Sequence, residues 1–307
     1  MKFRISVPAT SANIGPGFDA MGIALSLYNH FEIQEAERTS VVGCEERFTG
    51  ADNLFLQAFR HAARLLGIQA PEIKLGVDAE IPLARGLGSS AAMIASGVVA
   101  AFVTAGIDNR GFSEEEKLRI FEIATELEGH PDNAAPAVFG GFCSSILKEQ
   151  GSPRAFYARC AVDPAWRFHA LIPPFELSTH KARAALPHSI PRSDAVFNLG
   201  RAALLALAFQ TRRLDLVTAA CEDRIHQPYR APLVAGYGDI THVCEKAGAR
   251  AVWLSGAGPT IMALSAGGTE TESLSAALSP VLSTRPEGAW RQRILRADDA
   301  GIRVEVF

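Results

Sequence analysis

Residues 80–102 read "EIPLARGLGSSAAMIASGVVAAF", and two of them, Gly86 and Gly88, stand directly before a serine pair and a run of small apolar residues. Glycine is costly inside regular structure and useful where backbone turns sharply or approaches a ligand. A glycine loop opening into a helix exposes backbone N–H groups at the positive helix end, which together hold phosphate oxygens. "RGLGSSAA" fits such a cradle, and Ser89 and Ser90 add hydroxyls of the kind that meet Mg²⁺ beside a nucleotide's phosphates. Serines also cap helix starts, so the loop alone leaves phosphate binding and a mere tight turn both open. The GxxxxGK[ST] lysine of a Walker loop is absent, but Gly86 to Ala91 meets GxGxxA, the dinucleotide pattern. That reading wants a strand ending in an acidic residue about 20 positions on. The candidate, Asp108, follows the helix with hardly any room for a strand.

Outward from the loop, strand and helix signals alternate without clean βαβ phasing, which predicts an α+β fold with mostly antiparallel sheets. Phe3, Ile5 and Val7 alternate with polar residues in a strand expected to end at Pro8. "LYNHFEIQEA" and "EIKLGVDAEIP" read as strands, and Leu54, Ala58, Ala62 and Leu65 mark a helix closed by Gly67. Ser113 with Glu116 offers a capping box for a helix running to about Glu128. "FGGFCSSIL" resumes strand character, and "QGSPRAF" around Gly151 has the composition of a turn between halves. Beyond it come a strand at "RFHALIPP", helices at "VFNLGRAALLALAFQ" and "LDLVTAACEDR", and a strand pair in "ARAVWLSGAGPTIMALSAG".

A chain of 307 residues suggests two lobes with a site between them, and 48% hydrophobic residues supply a sizeable core. The net charge of -3 comes with no basic block, so neither a nucleic acid nor a membrane surface is an expected partner. The longest apolar run, Ala91 to Val103, falls short of the roughly 20 residues of a membrane span and is broken by Ser96 and Gly97. The opening has no continuous apolar stretch of a secretory signal, and the expected compartment is the cytoplasm. Five scattered cysteines show no CxxC spacing and read as reduced core fillers.

Three stretches in order, "PATSANIGPGFDAMGIAL", "PLARGLGSSAA" and "LSGAGPTIMAL", resemble the motifs of the GHMP kinases (galactose, homoserine, mevalonate and phosphomevalonate kinases), and the resemblance spans the chain. Together with "EGHPDNAAPAVFGG" the first is most similar to the homoserine kinases. The resemblance implies a two-lobed fold: a ribosomal-protein-S5-like ATP-binding lobe over residues 1–152 and a ferredoxin-like substrate lobe over 153–307. It implies an ATP- and Mg²⁺-dependent transfer of phosphate to the hydroxyl of L-homoserine, in threonine biosynthesis, by a homodimer. Arg85, Gly86, Leu87, Gly88, Ser89, Ser90 and Ala91 would hold the nucleotide phosphates, with Asn53 in the adenine pocket. Ser90 and Glu122, eleven residues before Asn133, would ligate the metal, with Glu126 and Glu128 as neighbouring decoys.

In "GHPDNAAP", Asn133 falls where mevalonate kinases carry a catalytic aspartate, which implies direct attack by the substrate hydroxyl, oriented by Asn133; Asp132 stays open as a base. Asn13 and Asp19, with His130, would contact the amino acid, and Thr179, Arg183, Arg230 and Gly256 would complete its pocket. Arginine's planar fork suits a carboxylate, although surface arginines mostly form ordinary salt bridges. Two other readings stay on the page: a kinase of this family for another small alcohol, such as mevalonate or a sugar, and a nucleotide-binding sensor without turnover.

Overall fold

Burial alternates along the first strand: Phe3, Ile5 and Val7 face the core while Lys2, Arg4 and Ser6 are more open. The strand does not stop at Pro8. Its pairing with the next strand shifts register between Pro8 and Ala9, and such a bulge accommodates a residue that has no N–H to give. The strand therefore continues to Ala12 and carries Thr10 and Ser11 into the middle of the molecule.

The structure is a computed structural model and describes residues 1–107, 111–149 and 154–307. The first part of the chain runs β1 (Lys2–Ala12), β2 (Met21–Glu35), β3 (Ser40–Val42), α1 (Leu54–Leu65), β4 (Ile73–Ala79), α2 (Ser89–Thr104), α3 (Glu114–Glu128), α4 (Pro131–Phe139) and β5 (Phe142–Leu147). The second part runs β6 (Ala155–Cys160), β7 (Arg167–Ile172), α5 (Thr179–Ala184), α6 (Arg192–Thr211), α7 (Leu214–Ala220), α8 (Gln227–Arg230), α9 (Tyr237–Lys246), β8 (Ala251–Leu254), β9 (Ile261–Ser265), α10 (Gly268–Ser283), β10 (Arg291–Leu295) and β11 (Arg303–Val306).

One sheet has the order β11-β1-β2-β4-β3, with β5 on β2 and β6 on β5; the other is β10-β7-β9-β8. Among the described residues every strand pair is antiparallel except β3 with β4, as the α+β reading expects. The turn expected around Gly151 and the boundary at residue 152 lie outside the described residues, as does Asp108. The strands on either side correct the division all the same: β5 and β6 pair with each other, and β11 returns from the far end to pair with β1. The first sheet thus extends to Cys160 and recruits the last strand, so the lobes are not two consecutive halves.

α2 is apolar all round and buried nearly throughout, the mark of a central helix. Its small residues serve close packing: a Cβ on Gly97 would lie 2.3 Å from the Phe55 carbonyl oxygen of α1. The capping box of α3 is present, with the Ser113 N–H donating to Glu116 at 2.7 Å and the Glu116 N–H donating back to Ser113 Oγ at 3.2 Å. The helix ends at Glu128 because Gly129 takes a left-handed conformation at φ 86°. In the second lobe, Ile240 and Cys244 of α9 and Leu274, Leu278 and Leu282 of α10 cover the sheet face that presents Leu171, Leu254 and Ile261. All five cysteines are free thiols, and among the described residues no helix is long and apolar enough to cross a membrane.

Candidate active site

The opening loop is a joint between three segments. Gly86 and Gly88 adopt φ of +75° and +72°, and neither has room for a side chain: a Cβ would lie 2.4 Å from the Ser255 carbonyl oxygen at the first and 1.9 Å from Thr10 Oγ1 at the second. Thr10 N–H donates to the Leu87 carbonyl at 3.1 Å, and Ser255 Oγ donates to the Gly86 carbonyl at 2.6 Å. Gly256 N–H closes the triangle on the Ala12 carbonyl at 3.1 Å. Segments 10–13, 85–90 and 255–258 therefore hold one another, and a cleft opens above them.

Most of the residues expected at a phosphate cradle meet here. Gly86, Gly88, Ser89 and Ser90 line the cleft, and α2 begins at Ser89 with its positive end toward it. Ser89 Oγ is buried and has no hydrogen-bond partner, a cost unless a ligand supplies one. Leu87 and Ala91 contribute backbone, since both side chains are buried in the protein. Arg85 lines the cleft, but its guanidinium is spent on the carbonyls of Leu83, Pro173 and Pro174 at 2.8–3.1 Å, which makes it a tie between lobes. Asn53 stands outside the cleft and caps α1, accepting from Leu56 N–H at 3.2 Å and donating to the Phe48 carbonyl at 2.8 Å.

Glu122 does not line the cleft. The carboxylate beside the serine pair is Glu128, one of the two decoys, whose Oε2 accepts from Ser90 Oγ at 2.9 Å. The two glutamates are six positions apart, so on a helix of 3.6 residues per turn they point some 120° apart, and Glu128 is the one that meets Ser90 at the start of α2. Burial pushes the Glu128 carboxyl above its usual range, with the Asp132 charge adding to this and His130 and Ser90 opposing it. Among the described residues no cluster of three His, Cys, Asp or Glu forms an all-protein metal cage.

Between α3 and α4 a short relay of side chains is locked. His130 Nδ1 donates to Asp132 Oδ1 at 2.8 Å, Asn133 Nδ2 donates to the same oxygen at 3.2 Å, and Thr10 Oγ1 donates to Asn133 Oδ1 at 2.7 Å. Thr10, given no role of its own in the sequence although it lies in the first quoted motif, thus fixes which way the Asn133 amide faces. Burial would lower the His130 imidazole, but the hydrogen bond and charge of Asp132, aided by Glu128 and Asp19, raise it on balance.

Opposite the cradle lies a set of charges. Arg183 donates to both oxygens of Asp19 at 2.9 and 2.8 Å, a bidentate pair that raises the Arg183 guanidinium. Asn13 accepts the Asp19 N–H at 3.0 Å and donates to the Gly256 carbonyl at 2.9 Å, so it shapes the loop carrying Asp19. Arg230 is only 2% exposed and donates to the carbonyls of Ala182 and Gly256 at 3.3 and 3.0 Å, with His226 Nδ1 a further 3.5 Å contact. Burial and the nearby Arg183 lower its guanidinium, which leaves a buried cation facing the cleft. Thr179 lies on the wall beside them. The arrangement can bind an anion at one end and a group bearing both charges at the other.

Residues 53–141 match the family model for the GHMP kinases N terminal domain, and residues 205–281 match GHMP kinases C terminal. A homoserine kinase of Clostridium botulinum (strain Langeland / NCTC 10281 / Type F) is 39% identical over 299 residues, 97% of this chain and 97% of that protein. The crystal structure of homoserine kinase from Cytophaga hutchinsonii superimposes with a TM-score of 0.85 at 25% identity, over 99% of this chain and 97% of that one. A crystal structure of mevalonate kinase, 14% identical, shares the fold alone, with a TM-score of 0.68 over 96% of this chain and 99% of that one.

Proposed function

The chain belongs to the homoserine kinases of the GHMP kinase family, and from that premise we propose that it transfers the γ-phosphoryl group of ATP to the side-chain hydroxyl of L-homoserine, giving O-phospho-L-homoserine. The observation that carries the reading is the Arg183–Asp19 ion pair facing the glycine cradle across one cleft. A free amino acid is a zwitterion. Entering between the two side chains, it exchanges one ion pair for two, its ammonium meeting Asp19 and its carboxylate meeting Arg183 and Arg230. Both native charges stay compensated, which keeps the desolvation cost of the exchange small.

The residues at the other end fit a nucleotide's phosphates. Two glycines leave the backbone bare, α2 turns its positive end to the cleft, and the partnerless Ser89 hydroxyl is a donor awaiting an oxygen. Ser90 and Glu128 are the residues to hold Mg²⁺, which when bound offsets phosphate charge as the transfer proceeds. Phosphoryl transfer through a loose transition state needs an oriented hydroxyl more than a strong base. Asn133, immobilised by Thr10 and Asp132, is suited to orient it. Asp132 Oδ1 already accepts from His130 and Asn133, which favours direct attack by the hydroxyl over proton removal by Asp132. The same premise assigns the product to threonine biosynthesis, the enzyme to the cytoplasm and its working form to a homodimer, with no nucleic-acid or membrane partner.

ADP release with Mg²⁺ and ATP, offered L-homoserine, D-homoserine, mevalonate and galactose beside a blank without acceptor, tests the reading. Turnover with L-homoserine alone is the expected result. Turnover with another alcohol moves the substrate assignment within the family, and stabilisation by ATP without any turnover brings the sensor reading forward.

A further inference from the structure

The segment that carries Arg230 is held by side chains that no step above uses. The Asp223 side chain is fully buried, and its carboxylate accepts four hydrogen bonds: from Asn198 Nδ2 at 2.6 Å and Ile225 N–H at 3.0 Å on one oxygen, and from the N–H groups of His226 and Gln227 at 2.9 and 2.6 Å on the other. This fixes the turn that starts α8, whose last residue is Arg230. His226 is also fully buried. Its Nε2 lies 2.8 Å from the Gly15 carbonyl and its Nδ1 lies 3.5 Å from Arg230 Nη1. A carbonyl only accepts and a guanidinium only donates, so these partners select the neutral ring with its hydrogen on Nε2 and a lone pair toward Arg230.

Two contacts extend the clamp. The Phe18 ring stacks on His226 at 5.3 Å between centroids, and the Arg230 and Arg183 guanidinium carbons lie 5.1 and 5.8 Å from the Phe18 ring centroid. A Cβ on Gly15 would lie 2.3 Å from the Cys221 carbonyl oxygen, so the N-terminal loop and the segment before α8 touch with no slack. The loop carrying Asp19 and the helix carrying Arg230 are thereby locked through one imidazole.

We propose that His226, seated by Asp223, is a positioning residue that sets Arg230 at a fixed distance from Asp19, and that this spacing selects an α-amino acid over an amine lacking the carboxylate. The inference deepens the homoserine reading and rests on it. A carboxylate must bridge to Arg230 while its own ammonium stays on Asp19, so a loosened Arg230 forfeits the carboxylate contact and leaves the amine contact in place.

The test compares kcat and KM for L-homoserine and for aminopropanol, which is homoserine without its carboxylate, in wild type, His226→Gln and Asp223→Asn, together with the KM for ATP and the melting temperature. His226→Gln keeps an N–H for Gly15 but loses the ring that stacks on Phe18 and aims the Nδ1 lone pair at Arg230. The expected result is a KM for L-homoserine raised about 10-fold, the scale of one hydrogen bond to a charged group, with the KM for ATP and kcat/KM for aminopropanol unchanged. Asp223→Asn is expected to move the preference in the same direction. A wild type that uses L-homoserine, with variants that lose both acceptors in equal proportion or keep the wild-type preference, overturns this inference alone. A wild type that gives no turnover with L-homoserine overturns the function reading and this inference with it.

Discussion

The two ends of the cleft are made of different material. At the glycine loop, the groups facing the cleft are backbone and a serine hydroxyl, held by bonds among segments 10–13, 85–90 and 255–258. At the opposite end they are the charged side chains of Asp19, Arg183 and Arg230, drawn from both parts of the chain. A backbone site has its shape built in, because the atoms that bind also carry the fold. A side-chain site can exchange partners, as we propose for the Arg183–Asp19 pair when a zwitterion enters. Errors in the first should abolish turnover, whereas errors in the second should weaken one substrate.

Gly88→Ala is the most severe way to probe that difference. The new methyl would lie 1.9 Å from Thr10 Oγ1 and 3.3 Å from Asn133 Oδ1, at a φ that side chains rarely adopt. Either the loop or Thr10 must move, and in the proposed reaction both position reacting groups. Turnover is expected to fall at least about 100-fold at saturating substrates, the scale of an ångström-sized misplacement. Steady-state kinetics decide it, and a variant with near-normal kcat would break the claim that the cradle's shape is its chemistry.

Arg183→Ala comes next and should act differently. It strands Asp19 and removes one carboxylate donor, so KM for L-homoserine should rise on the order of 100-fold while KM for ATP stays within about 2-fold. A matching rise in the KM for ATP would mean that the two ends are one mechanical unit, and the comparison would lose its point. Glu128→Gln sharpens the boundary between them. It should raise the Mg²⁺ concentration needed for half-maximal rate by about 10-fold, while Glu122→Gln leaves the metal dependence at wild type. The reverse ranking would return the ligand role to Glu122.

The cradle was legible in the sequence because its signals are local: glycines with no tolerated side chain, and serines at a helix start, sit within five consecutive residues. Its glycines, however, have a second reason that only the fold displays, namely that Thr10 and Ser255 occupy the space where their side chains would be. The contact of Glu128 with Ser90 was missed for a simple geometric cause. Spacing along the chain counts residues, whereas contact with α2 depends on which side of α3 a residue faces and where Gly129 ends the helix. Asn53 and Arg85 bear residue types that suit a ligand, yet their polar atoms are used up within the fold: Asn53 caps a helix through near neighbours, whereas Arg85 ties to carbonyls 88 and 89 residues away, which no local pattern records. The chain's division was misplaced for the same reason, since the pairing of β11 with β1 joins opposite ends of the sequence.

Two histidines carry the contrast between charged and neutral surroundings to its smallest expected effect. His130 has a carboxylate partner and is raised, whereas His169, buried in the second sheet, has only neutral ones: Gln292 Nε2 donates to its Nδ1 at 2.8 Å, and its Nε2 donates to Ser265 Oγ at 3.0 Å. Burial lowers His169 to about 4, from 6.5. A lowered value means that the unfolded chain takes up the proton first, so the stability from the neutral ring is complete above about pH 6.5 and is lost as pH falls toward 4. The full loss is about 3 kcal/mol, since each pKa unit corresponds to about 1.4 kcal/mol. His130 works in the opposite sense: its raised value makes the protonated ring stabilising, fully so below about 6.5, with that contribution lost as pH rises through the folded-state value. Melting temperatures of wild type, His169→Gln and His130→Gln between pH 4.5 and 8 separate the two. His169→Gln should flatten the acid limb only, and His130→Gln should flatten a shallow decline on the alkaline side. An acid limb that survives His169→Gln would assign it to other groups, and would leave the neutral lobe no less pH-sensitive than the charged cleft.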